Sequence, residues 1–133
     1  MRTHVEFRSH SFPGVPDEDA IVNPGRWGKR LAEYLHAELS KHGFPGTAPY
    51  VEDWGWAVPI TNTALPLWIG CGNYEEFPDG FLCFIEPSKP TVRKLFRKID
   101  TTERVAALAD CLDKILRSHP EIHSIRWWAP GER

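Results

Sequence analysis

The chain has 133 residues, 41% apolar and 26% charged, with a formal net charge of −2. That is the size of a single domain, residues 1–133, with enough apolar content to bury a core. The near-neutral balance supplies no global basic field for nucleic acid. The longest apolar run, Phe81 to Ile85, cannot cross a bilayer, and the opening residues lack the apolar stretch of a secretion signal, so no membrane role and a cytoplasmic location are expected.

Residues 3–9 alternate, with Val5 and Phe7 on one side and His4, Glu6 and Arg8 on the other, the period of a half-buried strand. His10 continues that second side. Residues 11–22 carry Pro13, Gly14, Pro16 and the acids Asp17, Glu18 and Asp19, which predicts a loop. Asn23 can cap a helix and Pro24 suits its first position. Trp27, Leu31, Tyr34, Leu35 and Leu39 then recur at helical spacing, and Gly43 supplies a stop, so a helix is expected from about 24 to 42.

Residues 50–60 read as one strand with Trp54, Trp56 and Val58 on one face and Asp53, Gly55 and Ala57 on the other. Asn62 and its neighbours form a turn. Leu67 to Cys71 is the next strand, closed by Gly70, Gly72 and Asn73. The connector 74–80 is a loop. Residues 80–86 form a third strand, apolar enough to be covered on both faces. A hairpin centred on Phe77 sets Cys71 opposite Cys83. In 87–98 five basic residues, Lys89, Arg93, Lys94, Arg97 and Lys98, occur without an acid. Val92, Leu95, Phe96 and Ile99 fit a helical turn, with a strand as the alternative. Asp100 and Glu103 suggest a capping box before the stripe Val105, Leu108, Leu112, Ile115 and Leu116, which ends near Ser118, ahead of Pro120. Residues 122–128 read as the last strand.

The order β-α-β-β-β-(short element)-α-β predicts an α+β fold. Two amphipathic helices share one face of about five mostly antiparallel strands, as a two-layer sandwich. The opposite sheet face then looks outward. If Ile125 and Trp127 are core, Arg126 and Trp128 lie on that outward face, together with His4 and Arg8. Asp53 joins them if Trp54 and Trp56 point inward. Gly55 and Ala57 would floor a shallow groove there. Six tryptophans, at 27, 54, 56, 68, 127 and 128, are a surplus that serves cores and binding hot spots alike.

The pattern holds no catalytic constellation. Cys71 sits between glycines, but no histidine lies within ten residues to activate it. Cysteines and histidines lack metal-site spacing, so no metal or other cofactor is expected. The layout resembles small bacterial α+β proteins, among them immunity proteins that neutralise toxin domains. The resemblance is one of architecture and carries over no residue.

Three functions follow in order. The first is a non-catalytic protein-binding module, of an inhibitor or immunity type, using His4, Arg8, Asp53, Arg126 and Trp128. The alternative is a small enzyme or small-ligand binder with a sheet-face pocket around Asp53. The third is weak nucleic-acid binding through residues 89–98, which the overall charge disfavours.

Overall fold

The structure, a computed structural model, describes residues 1–61, 66–74, 76–88, 91–94 and 97–132, without the side chains of residue 19 and residues 91–99. Its strands are β1 (His4–Arg8), β2 (Tyr50–Glu52), β3 (Gly55–Ile60), β4 (Leu67–Asn73), β5 (Gly80–Glu86), β6 (Thr91–Lys94), β7 (Arg97–Asp100) and β8 (His123–Trp128). The helices are α1 (Lys29–Lys41) and α2 (Thr102–Ser118). Six strands form an antiparallel sheet in the order β2-β3-β4-β5-β1-β8, and β6 and β7 pair separately. The α+β fold is as expected, with one strand more in the sheet than the five read from sequence.

Two neighbouring registers define the two faces, because residues directly opposite across a ladder project to the same side. One line runs Val51, Trp56, Cys71, Cys83, Val5, Trp127. It lies under the helices: Trp56, Cys71, Cys83 and Val5 are buried, and the Trp127 indole donates to Asp113 Oδ1 on α2 at 2.9 Å. The adjacent line runs Tyr50, Ala57, Gly70, Phe84, His4, Trp128 and faces away from the helices. Helix α1 packs on β3 and β4, and α2 on β5 and β8. Between helices and sheet, Leu31, Leu35, Leu108 and Leu112 lose all solvent exposure, as their spacing predicts.

Two local expectations need correction. Helix α1 starts at Lys29, five residues after Pro24. Asn23 accepts the Arg26 N–H at 2.9 Å, with Gly25 at φ 78, so Asn23-Pro24-Gly25-Arg26 closes a turn instead of opening the helix. Proline suits either role, and the glycine that follows it decides, since a type II turn needs positive φ there. The helix is capped from a distance. Its N-cap, Gly28, has no side chain to offer. Glu18, in the 3-10 turn 18–20 of the expected loop, takes the Gly28 and Lys29 N–H groups on Oε2 at 2.8 and 2.9 Å. A carboxylate there also meets the positive end of the helix dipole.

Residues 50–60 are two strands. Glu52 pairs with Gly55, so Asp53 and Trp54 form a two-residue hairpin turn. Alternation within one strand therefore does not apply across them. The basic segment takes the strand alternative, as a hairpin: Arg93 stands opposite Lys98 and Lys94 opposite Arg97. Leu95, Phe96 and Lys89, like the turn expected at Asn62, lie outside the described residues. Strand β8 keeps its register with β1 at residues 126–128 and carries one extra residue between His123 and Arg126. Ser124 takes φ 60 at that bulge, a left-handed geometry typical of such insertions. Among the described residues, no helix is long and apolar enough to cross a membrane.

Candidate functional site

The outward face carries a row of rings. Trp54 swings out of the β2–β3 turn, its ring 5.9 Å from Trp68 and 5.2 Å from Phe84. Trp68 meets Phe84 edge-on at 5.6 Å. His4 stacks on Phe84 at 5.8 Å and tilts against Trp128 at the same separation. The Arg126 guanidinium lies 5.4 Å from the Trp128 ring centre. Spacings of this kind are the offset and edge-to-face contacts that aromatic quadrupoles favour.

Small residues make room for this row. Ala57 and Gly70 stand between Tyr50 and Phe84 in the same register. A Cβ on Gly70 would run into the Phe84 ring, so only glycine lets that ring lie against β4. The result is a broad, shallow surface. Tyr50 is 47% exposed and Trp54 36%, while His4, Trp68 and Phe84 are half-buried.

Two open grooves flank the row. One, of about 300 Å³, has Trp54, Phe84 and Leu82 beside Asn23, Arg26 and Asn73. The other, of about 290 Å³, has Arg8, Arg126 and Glu6 beside Phe77 and Ser124. Tyr74 lines both. Each arginine in the second groove holds an acid: Arg126 donates to Glu6 at 3.0 Å, and Arg8 to Asp79 at 2.8 Å while lying over the Phe77 ring. The hydrogen bond from Arg8 keeps the Asp79 carboxyl below its ordinary pKa. These exposed pairs orient side chains more than they stabilise the fold.

The structure brings His4, Arg126 and Trp128 together, and Arg8 joins Arg126 across the second groove. Asp53 is elsewhere. It sits in the exposed β2–β3 turn, its carbonyl accepting the Asn23 N–H, at least three strand spacings from β1, roughly 14 Å. It does not line the groove beside Trp54. Trp56 faces the helices as expected, but Trp54 faces the other way because it belongs to a turn. Trp128 lies on the expected face yet is only 6% exposed, so it is a packing residue and not a free anchor. His10, expected beside His4, is exposed beyond β1 and pairs with Glu121.

Sequence reading missed Trp68 and Phe84. The signal was present: a hairpin that sets Cys71 opposite Cys83 also sets Gly70 opposite Phe84, out of phase with the core.

Cys71 and Cys83 face each other as expected, fully buried and unbridged. A hydrogen bond to Cys71, and then burial, push the Cys83 thiol well above its ordinary pKa. Burial also raises that of Cys111, which is half-buried. A maleimide at neutral pH should label Cys111 in the native protein and reach Cys71 and Cys83 only on unfolding. Fast labelling of Cys71 in the folded state would contradict this. Among the described residues no three His, Cys, Asp or Glu side chains converge as a metal site. No protein-family model matches the chain, and neither a curated protein nor a solved structure matches it.

Proposed function

We propose that the protein is a non-catalytic protein-binding module whose working surface is the outward face of the sheet. The observation that carries this reading is the outward-facing aromatic row, exposed Trp54 with half-buried Trp68, Phe84 and His4, set on an otherwise small-residue floor. Tryptophan and arginine around a shallow apolar centre are what protein interfaces enrich. An inhibitor or immunity-type role suits such a surface, because blocking a partner needs a rigid recognition face and no chemistry of its own.

A pocket enzyme built on Asp53 has less support, since that carboxylate stands in an exposed turn outside the groove beside it. Nucleic-acid binding through 89–98 is opposed by the net charge of −2.

The test is affinity capture followed by titration of the captured protein. Trp54→Ala should weaken binding by more than about 1 kcal/mol, roughly fivefold, with the far-UV spectrum unchanged. An unaltered affinity in both Trp54→Ala and Trp68→Ala would move the interface off this face. Trp128→Ala is not a clean probe, because the ring is buried and its loss disturbs packing.

A further inference from the structure

Cys71 and Cys83 are two thiols set directly opposite each other in the sheet, both 0% exposed and unbridged. They lie on the helix side, so the binding surface proposed above does not use them. We propose that Cys71 and Cys83 are a disulfide site, closed while the chain is open and sealed once it folds.

The ladder decides how closely the two approach. The Tyr74 N–H donates to the Gly80 carbonyl at 2.8 Å, in register with the β4–β5 pairs, so these two residues form a hydrogen-bonded pair. Hydrogen-bonded and non-bonded pairs alternate along an antiparallel ladder. Three steps along, Cys71 and Cys83 are therefore a non-bonded pair. Ile85 agrees: its N–H donates to the Thr3 carbonyl at 2.9 Å, away from β4, and Cys83 shares that direction two residues earlier. Non-bonded partners are the closer kind, with Cα atoms about 4.5 Å apart. A disulfide spans about 4.4–6.8 Å between Cα atoms and needs its Cβ atoms on one side, which direct opposition supplies. The two thiols are already hydrogen-bonded to each other. The bond can close without parting or shifting the strands.

Burial decides when it closes. In the folded chain no solvent reaches either thiol, and the hydrogen bond from Cys71, then burial, keep Cys83 well above its ordinary pKa, so thiolate is scarce. In the open chain both constraints are gone. There the thiolate of one cysteine attacks a sulfur of glutathione disulfide, breaks its S–S bond and expels one glutathione thiolate. The thiolate of the other cysteine then attacks the protein sulfur of the mixed disulfide, forms the Cys71–Cys83 bond and expels the second glutathione thiolate. The two cysteines give up two electrons and two protons, and one glutathione disulfide becomes two glutathione thiols. Folding then buries the new bond as completely as it buries the thiols, which keeps external reductants away as well.

The test compares two samples of the wild-type chain: one refolded from urea with glutathione disulfide present, the other folded and reduced before the same reagent is added. Cleavage after Glu76 and Glu86 parts Cys71, Cys83 and Cys111 into separate peptides, so mass spectrometry reads each link directly. The refolded sample should carry the Cys71–Cys83 link and regain the native far-UV spectrum. Its unfolding equilibrium constant should fall at least about tenfold below that of the reduced chain, because the bond restricts the unfolded state. The folded sample should gain the link far more slowly, at a rate that rises with added urea. Free thiols or glutathione adducts at Cys71 and Cys83 after refolding, or a linked chain that does not regain the native spectrum, would overturn the disulfide site. Linkage as fast in the folded sample as during refolding would overturn the seal.

Discussion

Glu18→Ala should destabilise the protein by about 3–5 kcal/mol, read as a lowered urea midpoint at constant slope. Glu18 is 2% exposed and accepts four N–H groups: Val15 at 3.0 Å, Gly28 at 2.8 Å, Lys29 at 2.9 Å and the Trp56 indole at 2.8 Å. Alanine leaves those donors without their acceptor, uncaps α1, and removes the link from the 3-10 turn to Trp56 on β3. Each buried donor left unmet costs on the order of 1–3 kcal/mol, and relaxation recovers part of the sum. Glu18→Gln keeps the shape but turns an amide NH2 toward N–H donors, so it should fall between wild type and alanine. A midpoint within about 0.5 kcal/mol of wild type for Glu18→Ala would show that the carboxylate does not hold these elements together.

Leu35→Ala and Leu112→Ala should each cost roughly 2–5 kcal/mol. Both side chains lose all exposure between the helices and the sheet, one from each helix. Removal loses transfer free energy and leaves a cavity that the packed layers fill only in part. The check is the same urea titration, and unchanged midpoints would contradict the helix faces described here. Ile21→Ala, on a 59% exposed side chain, is the control expected to stay within about 0.5 kcal/mol.

The elements that were legible are those whose information is local and periodic. Leu108, Leu112 and Leu116 mark their helix face by spacing alone, and Val5 and Phe7 mark a strand face in the same way. The Cys71–Cys83 register followed from the symmetry of one hairpin. Misreadings arose where two local rules competed or where a distant residue decided. Pro24 fits a helix start and a turn equally, and Gly25 tips it to the turn. The true cap of α1 is Glu18, ten residues before Gly28, and no spacing rule reaches that far. Tyr50 to Ile60 alternates well enough to pass for one strand, which concealed the turn at Asp53-Trp54. Read as one strand, the segment puts Trp54 and Trp56 on one face, with Asp53 in the site only if both point inward; in the structure Trp56 points inward and Trp54 does not. Trp128 was placed on the right face, but alternation gives direction and not depth, so its burial beside His4 and Arg126 was not readable.

The central claim is that the aromatic row on the outward sheet face is where a partner binds. Hydroxyl-radical footprinting of the free protein and of its complex with the captured partner tests it most directly. Binding should protect Trp54, Trp68 and Tyr50 while leaving Trp127 and Tyr34, on the helix side, as reactive as before. Protection of the helix side with Trp54 still fully reactive would contradict the claim.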